Sequence, residues 1–138
     1  MDLLADFLRL SGEMTDTRLA FEFRHASWFD PDVLEALRKF GAALVIAQSE
    51  RYPQAPAVPT APFVYLRFHG PGQLFASSYS QAELEPWAKR IRRWLGEGRA
   101  VYAYFNNDFE GHAIANAKTL EKLALTSSAN EFAARDRR

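Results

Sequence analysis

The sequence contains no cysteine, which excludes a disulfide framework, a thiolate nucleophile and any cysteine-based zinc or iron–sulfur site. Such a chain suits the reducing cytoplasm, and a cytoplasmic location is expected. Long apolar runs are missing as well: nothing approaches the ~20 residues that span a bilayer. The opening stretch MDLLADFLRLSGE has neither the basic flank nor the cleavage site of a signal peptide. No membrane partner is expected. An excess of one charge is also absent, since Lys plus Arg and Asp plus Glu both number 17, so no global field gathers nucleic acid. Lys89, Arg90, Arg92 and Arg93 do cluster, but they interleave with an apolar stripe near a helix C-terminus, as a solvated face does. Nucleic acid is therefore set aside as a partner. His25, His69 and His112 show no HxH or HExxH spacing, and no Walker loop, GxGxxG, GxSxG or SxxK occurs. Neither a metal nor a cofactor is expected.

What is present is an ordinary globular domain. The 138 residues fit one domain, and 48% hydrophobic with 14% aromatic content excludes a disordered chain. Leu3, Leu4, Phe7, Leu8 and Leu10 predict a short amphipathic helix that stops at Ser11–Gly12. Residues 19–24 alternate strictly and predict a strand, with Phe21 and Phe23 on one face and Glu22 and Arg24 on the other. Asp30–Pro31 opens a helix whose stripe is Val33, Leu34, Leu37 and Phe40, closed by Gly41. Residues 42–47 form a continuously apolar run, as a buried parallel strand does. Four prolines over 53–62 then force an extended connection. A strand over 63–69 follows, and Ser80 with Glu83 forms a capping box for a helix closed at Gly96 or Gly98. The last strand spans 100–107, and a terminal helix spans 113–124. The polar residues 126–138 are expected to be a disordered tail.

Alternating strands and helices predict an α/β fold with a parallel sheet. Three of the four strands carry one apolar and one polar face, whereas a doubly wound sheet needs both faces apolar. A TIM-type barrel, polar inside near its C-terminal mouth, fits better, but such barrels run to about 250 residues. Four strands amount to a half-barrel. Parallel strands would gather Glu22, Arg24 and His25, then Gln48 and Ser49, then Arg67 and His69, then Tyr104, Asn106, Asn107 and Asp108 on one rim. Two arginines suit an anion such as phosphate or carboxylate, and Glu22, His69 and Asp108 are the candidate acid–base groups. Arg24, His25, Arg67, Tyr104, Asn106 and Asn107 are the candidate binding residues. Each has a plainer alternative. Glu22 and Arg24 could form a structural ion pair, Arg67 and His69 could pack within the sheet, His25 could belong to the following loop, Asp108 could cap the last helix, and the two asparagines could satisfy turn backbone.

The stretches FEFRHASW (21–28), YLRFHG (65–70) and YAYFNNDFEGHAIANAKTL (102–120) resemble the YecE-like family, domain of unknown function 72. The resemblance runs from about residue 3 to residue 125. It implies a TIM-type barrel of which residues 1–125 match the C-terminal half, with the N-terminal strands absent. By position it carries over Glu22, Arg24, His25, Ser27 and Trp28; then Arg67, His69 and Gly70; then Tyr104, Asn106, Asn107, Asp108, Gly111 and Asn116. The family usually has an acidic residue where the second strand ends, and Gln48 stands there. If that acid is catalytic, this chain has lost it. The resemblance implies no settled reaction. The expected function is binding of an anionic small molecule at the strand rim. The alternative is a truncated or split half-barrel without activity of its own, completed by homodimerisation or by a separate N-terminal half.

Overall fold

A computed structural model describes residues 2–14, 17–49, 51–73 and 75–135. Helix α1 spans Asp2–Met14, so Gly12 does not end it. Arg9 carries the last turn across that glycine by bonding Glu13 at 3.0 Å, an i,i+4 pair that supports a helix. Strand β1 is only Ala20–Phe21. The alternation over 19–24 is real, but the chain leaves the ladder after Phe21, and Phe23 turns to stack on Trp28 at 4.7 Å. A short 3-10 turn, Ala26–Phe29, leads to α2, Pro31–Lys39, where the Asp30 carboxylate accepts from the Asp32 N–H at 2.9 Å. Strands β2, Ala43–Gln48, and β3, Phe63–Phe68, flank the proline-rich connection. Helix α3, Gln81–Gly96, starts at the expected capping box of Ser80 and Glu83. Strand β4, Ala100–Phe105, is followed by a 3-10 turn at Phe109–Gly111 and by α4, His112–Arg135. Helix α4 thus extends beyond the predicted 124 into the stretch expected to be a tail; residues 136–138 lie outside the described residues.

The four strands are parallel and lie in the order β1-β2-β3-β4, which bears out the α/β class. The order never reverses, so the sheet has no topological switch point of the doubly wound kind. The register puts Phe21 beside Leu44, Ile46 beside Leu66 and Phe68 beside Phe105, all on one face. That face receives the helices. Ile46, Val64, Leu66 and Phe68 pack against Leu84, Ala88, Ile91 and Trp94 of α3 and Leu120 and Ala124 of α4. Leu44 joins Leu4 and Leu8 of α1 and Val33, Leu34 and Leu37 of α2. Each such large side chain, fully buried, contributes ~1.5–3 kcal/mol. Among the described residues the opposite face carries a small cluster, Ala43, Ala61 and Phe63 with Tyr65 and Tyr102 against it, and then turns polar towards the strand C-termini. No helix among the described residues is long and apolar enough to cross a membrane.

Candidate functional site

Strand parity decides which rim residues meet. Ala20 pairs with Ala43, Ala47 with Arg67, and Arg67 with Tyr104. Counting in twos, Glu22, Ala47, Arg67, Tyr104 and Asn106 therefore share the face that the helices leave uncovered. Strands β1 and β3 are not neighbours and stand ~9–10 Å apart across β2. The residue that β2 presents beside Arg67 is the small Ala47, over which a long guanidinium can reach.

It does reach. Arg67 Nη1 donates to Glu22 Oε2 at 2.5 Å, while Arg67 Nε and Nη2 both donate to Asn106 Oδ1, at 3.1 and 2.9 Å. The Glu22 carboxylate, 12% exposed, also meets Arg24 Nη2 at 3.0 Å and His69 Nε2 at 3.2 Å. Arg24 lies over the Tyr52 ring, 4.1 Å from its centroid. One carboxylate thus gathers two guanidinium groups and an imidazole.

Burial pushes the Glu22 carboxyl up, but the hydrogen bonds from Arg67 and His69 and the positive charges of Arg67 and Arg24 outweigh it and hold the group below its ordinary value. Burial pushes His69 down; the bond to Glu22 opposes this without overcoming it, and the two arginine charges add to the lowering. At neutral pH the pair is an anionic carboxylate and a neutral imidazole. An ionised carboxylate only accepts, so His69 carries its proton on Nε2. Its Nδ1 lone pair is then a buried acceptor with no hydrogen-bond partner among the described residues.

Other expected residues sit elsewhere. His25 is exposed, its Nδ1 accepting from the Ser27 N–H at 3.2 Å to cap the 3-10 turn. Asp108 is exposed at the head of the Phe109–Gly111 turn, and its side chain makes no capping bond there. Asn107 is fully buried and donates to Ser77 O and to Asn116 Oδ1, both at 2.8 Å. Asn116 in turn accepts from the Tyr79 N–H at 3.0 Å and donates to Tyr79 O at 2.9 Å. These two amides pin the loop that leads into α3. Tyr104 is on the uncovered face, stacked on Tyr65 with centroids 4.9 Å apart. Gln48 has the opposite parity to Ala47 and accepts from the Tyr79 hydroxyl, away from Glu22. That hydroxyl accepts from the Gly70 N–H at 3.0 Å, and burial pushes its pKa up to about 12. Tyr52 and Tyr79 had no signal in the sequence, because both lie in or beside loops where periodicity is silent. Among the described residues no group of three or more His, Asp or Glu is placed to hold a metal.

A family model described as "Protein of unknown function DUF72" matches residues 1–137. The chain belongs to the DUF72 family. It is 28% identical over 135 residues to the UPF0759 protein YunF of Bacillus subtilis strain 168, an alignment that covers 80% of this chain and 48% of YunF. A DUF72 family structure from Thermotoga maritima MSB8 superposes with a TM-score of 0.75 at 27% identity, over 86% of this chain and 50% of that one. Another, from Enterococcus faecalis V583, gives a TM-score of 0.72 at 23% identity, over 88% of this chain and 52% of that one. The chain spans about half the length of these DUF72 relatives. The family assignment agrees with the resemblance carried by the three sequence stretches.

Proposed function

We propose that the Glu22–Arg24–Arg67–His69 cluster is the ligand site of this DUF72 protein and that it takes an anionic small molecule, a phosphate or carboxylate. The observation that carries this reading is the largely buried Glu22 carboxylate shared by two arginines and a histidine at the C-terminal end of the strands. Glu22 supplies one negative charge against two guanidinium charges, so the cluster keeps a net positive charge that an anion would neutralise. Arg67 is committed to Glu22 and Asn106, which leaves Arg24, 44% exposed, as the cation that first meets the ligand. Glu22 and His69 then form the proton-handling pair. Asp108 can join them only through a ligand that reaches its loop.

Titration calorimetry with inorganic phosphate and with citrate tests this. A charged hydrogen bond contributes ~1.5–3 kcal/mol, so Arg24→Ala should weaken binding about tenfold or more while moving the melting midpoint little. Absence of binding to the unaltered chain, or equal binding by Arg24→Ala, would reject the site.

The assembly has its own reading. Four parallel strands in unbroken order, helices on one face among the described residues and a length about half that of the relatives support an arc of a TIM-type barrel, a half-barrel. Beside β4, an apolar groove of about 600 Å³ opens between α3 and α4, lined by Leu95, Phe105, Ile114 and Leu125 among others. A second copy of the chain or a separate N-terminal half would cover the open face and this groove. Light scattering over a dilution series decides between them: a dimer mass supports self-completion, and a folded monomer at every concentration rejects it.

A further inference from the structure

Two aromatic pairs lie on the uncovered sheet face, in line with the charged rim. Nearer the strand N-termini, Phe63 and Tyr102 meet edge to face at 6.1 Å. Arg18 closes over both, 5.2 and 5.1 Å from their centroids, and donates to the Tyr102 hydroxyl at 2.6 Å. That pair is occupied. One step nearer the rim, Tyr65 and Tyr104 stack with an interplanar angle of 21°, and Tyr104 remains 48% exposed. Its strand neighbour is Arg67, and Asn106, two residues on, holds the Arg67 guanidinium. Tyr104 is therefore a rigid ring, backed by a second ring and placed beside the charged cluster.

At the other side of the rim, Arg24 lies on Tyr52, and Arg51 approaches the same ring at 5.6 Å. Two guanidinium groups thus flank the end of the rim farthest from Tyr104. Strands β1 and β4 are three strand spacings apart, ~14 Å, and the Arg24 side chain shortens that span by bending inward to Glu22. The gap from an aromatic platform to an exposed cation is then comparable with the length of a mononucleotide. Neutral net charge favours a small ligand over a nucleic-acid strand, which needs a charged groove along the backbone.

We infer that the ligand joins a planar aromatic ring to an anionic group, as a nucleoside monophosphate does, with the ring stacked on Tyr104 and the anion at Arg24. The inference rests on the anion reading of the rim and adds the second half of the ligand. Every nucleobase offers a π face, so stacking would set the class of ligand without choosing among bases.

The test is calorimetry on the 138-residue chain with AMP, adenosine, inorganic phosphate and a short poly-uridylate strand, repeated for Tyr104→Ala and Tyr104→Phe. The expected result is AMP bound at least about fivefold more tightly than phosphate or adenosine, the lower end of what base–aromatic stacking supplies. Tyr104→Ala should fall to the level of phosphate and Tyr104→Phe should retain AMP. The phenylalanine variant and a thermal melt separate lost stacking from lost fold. Equal affinity for AMP and phosphate would overturn the aromatic half and leave the anion reading standing. Equal affinity for AMP and adenosine would overturn both, as would binding of none. A strand bound more tightly than AMP would overturn the small-ligand form. AMP binding lost at concentrations where the chain dimerises would assign the Tyr104 face to a second copy and overturn the inference.

Discussion

Replacing Glu22 with glutamine removes the one negative charge at the centre of the rim while keeping its shape. The carboxylate meets Arg67 at 2.5 Å, Arg24 at 3.0 Å and His69 at 3.2 Å. Glutamine offers one acceptor oxygen and turns an N–H₂ group towards another donor, so at least one contact becomes repulsive. Complete stranding of a buried ion costs ~3–5 kcal/mol. Arg67 escapes that limit because its side chain is 29% exposed and keeps both bonds to Asn106. The cost should therefore be about 2–3 kcal/mol, the value of one charged hydrogen bond with partial solvation of what is left. With an m-value of ~1–3 kcal/mol/M, the urea midpoint should fall by roughly 1–2 M. The acid dependence adds a signature. Because the folded Glu22 pKa lies below the ordinary 4.5, its contribution is complete above that value and disappears as pH falls through the folded pKa. His69, also lowered from 6.5, resists a proton that the unfolded chain accepts, so stability declines as pH drops below about 6.5. The unaltered chain should lose stability in both windows. Glu22→Gln should lack the Glu22 window and widen the His69 one, because the bond and charge of Glu22 that hold the His69 pKa up are gone. A midpoint shift below roughly 0.3 M at unchanged m, or the same acid slope in both proteins, would refute the reasoning.

Two further outcomes follow from the loop between β3 and α3. Gly70 has φ of 106° and a Cβ built on it would lie 2.8 Å from Gln73 O, so Gly70→Ala should cost at least about 2 kcal/mol from strain and overlap together. Gly41→Ala, at φ 64° with open space around it, should cost only ~1–2 kcal/mol; thermal melts of the two variants compare them directly. Asn116→Ala removes the partners of Tyr79 N, Tyr79 O and Asn107 Nδ2, and buried groups left unpaired cost ~1–3 kcal/mol each. The urea midpoint should drop, and amide exchange at Tyr79 should accelerate; unchanged protection there would exclude the clamp.

Much of the fold was legible because helix starts and alternation are local. Asp30–Pro31 and Ser80 with Glu83 begin α2 and α3 where the capping rules place them. The alternation at 63–69 and 100–107 became β3 and β4, each slightly shorter than expected. Errors arose where a pattern speaks only of side chains. Alternation over 19–24 says which way Glu22 and Phe23 point, not whether a neighbouring backbone is there to bond, and β1 keeps a ladder only at Ala20–Phe21. Gly12 weakens a helix by ~1 kcal/mol without ending it, and the Arg9–Glu13 pair supports the turn across it. Apolar periodicity marks the part of a helix that packs, so it predicts α4 only to 124, whereas the helix runs to Arg135.

Position along the strands put eleven residues on one rim, and parity with register divides them. Glu22, Arg67, Tyr104 and Asn106 share the uncovered face, and His69 follows Phe68 onto it to reach Glu22. Gln48 and Asn107 have the other parity and bond to Tyr79 and Asn116 instead, so they shape the loop rather than a ligand. The acid that the family pattern puts at Gln48 would therefore face Tyr79 and not the arginines. What remains on the open face is charge drawn together within a chain of zero net charge. Desolvating such a cluster costs several kcal/mol per ion, and well-packed apolar residues in its place are often as stable or more so. Removing Glu22 alone is costly because it strands its partners, whereas replacing a whole buried ionic cluster with packed apolar residues is often neutral. On that asymmetry rests the proposal that the rim serves a ligand rather than stability.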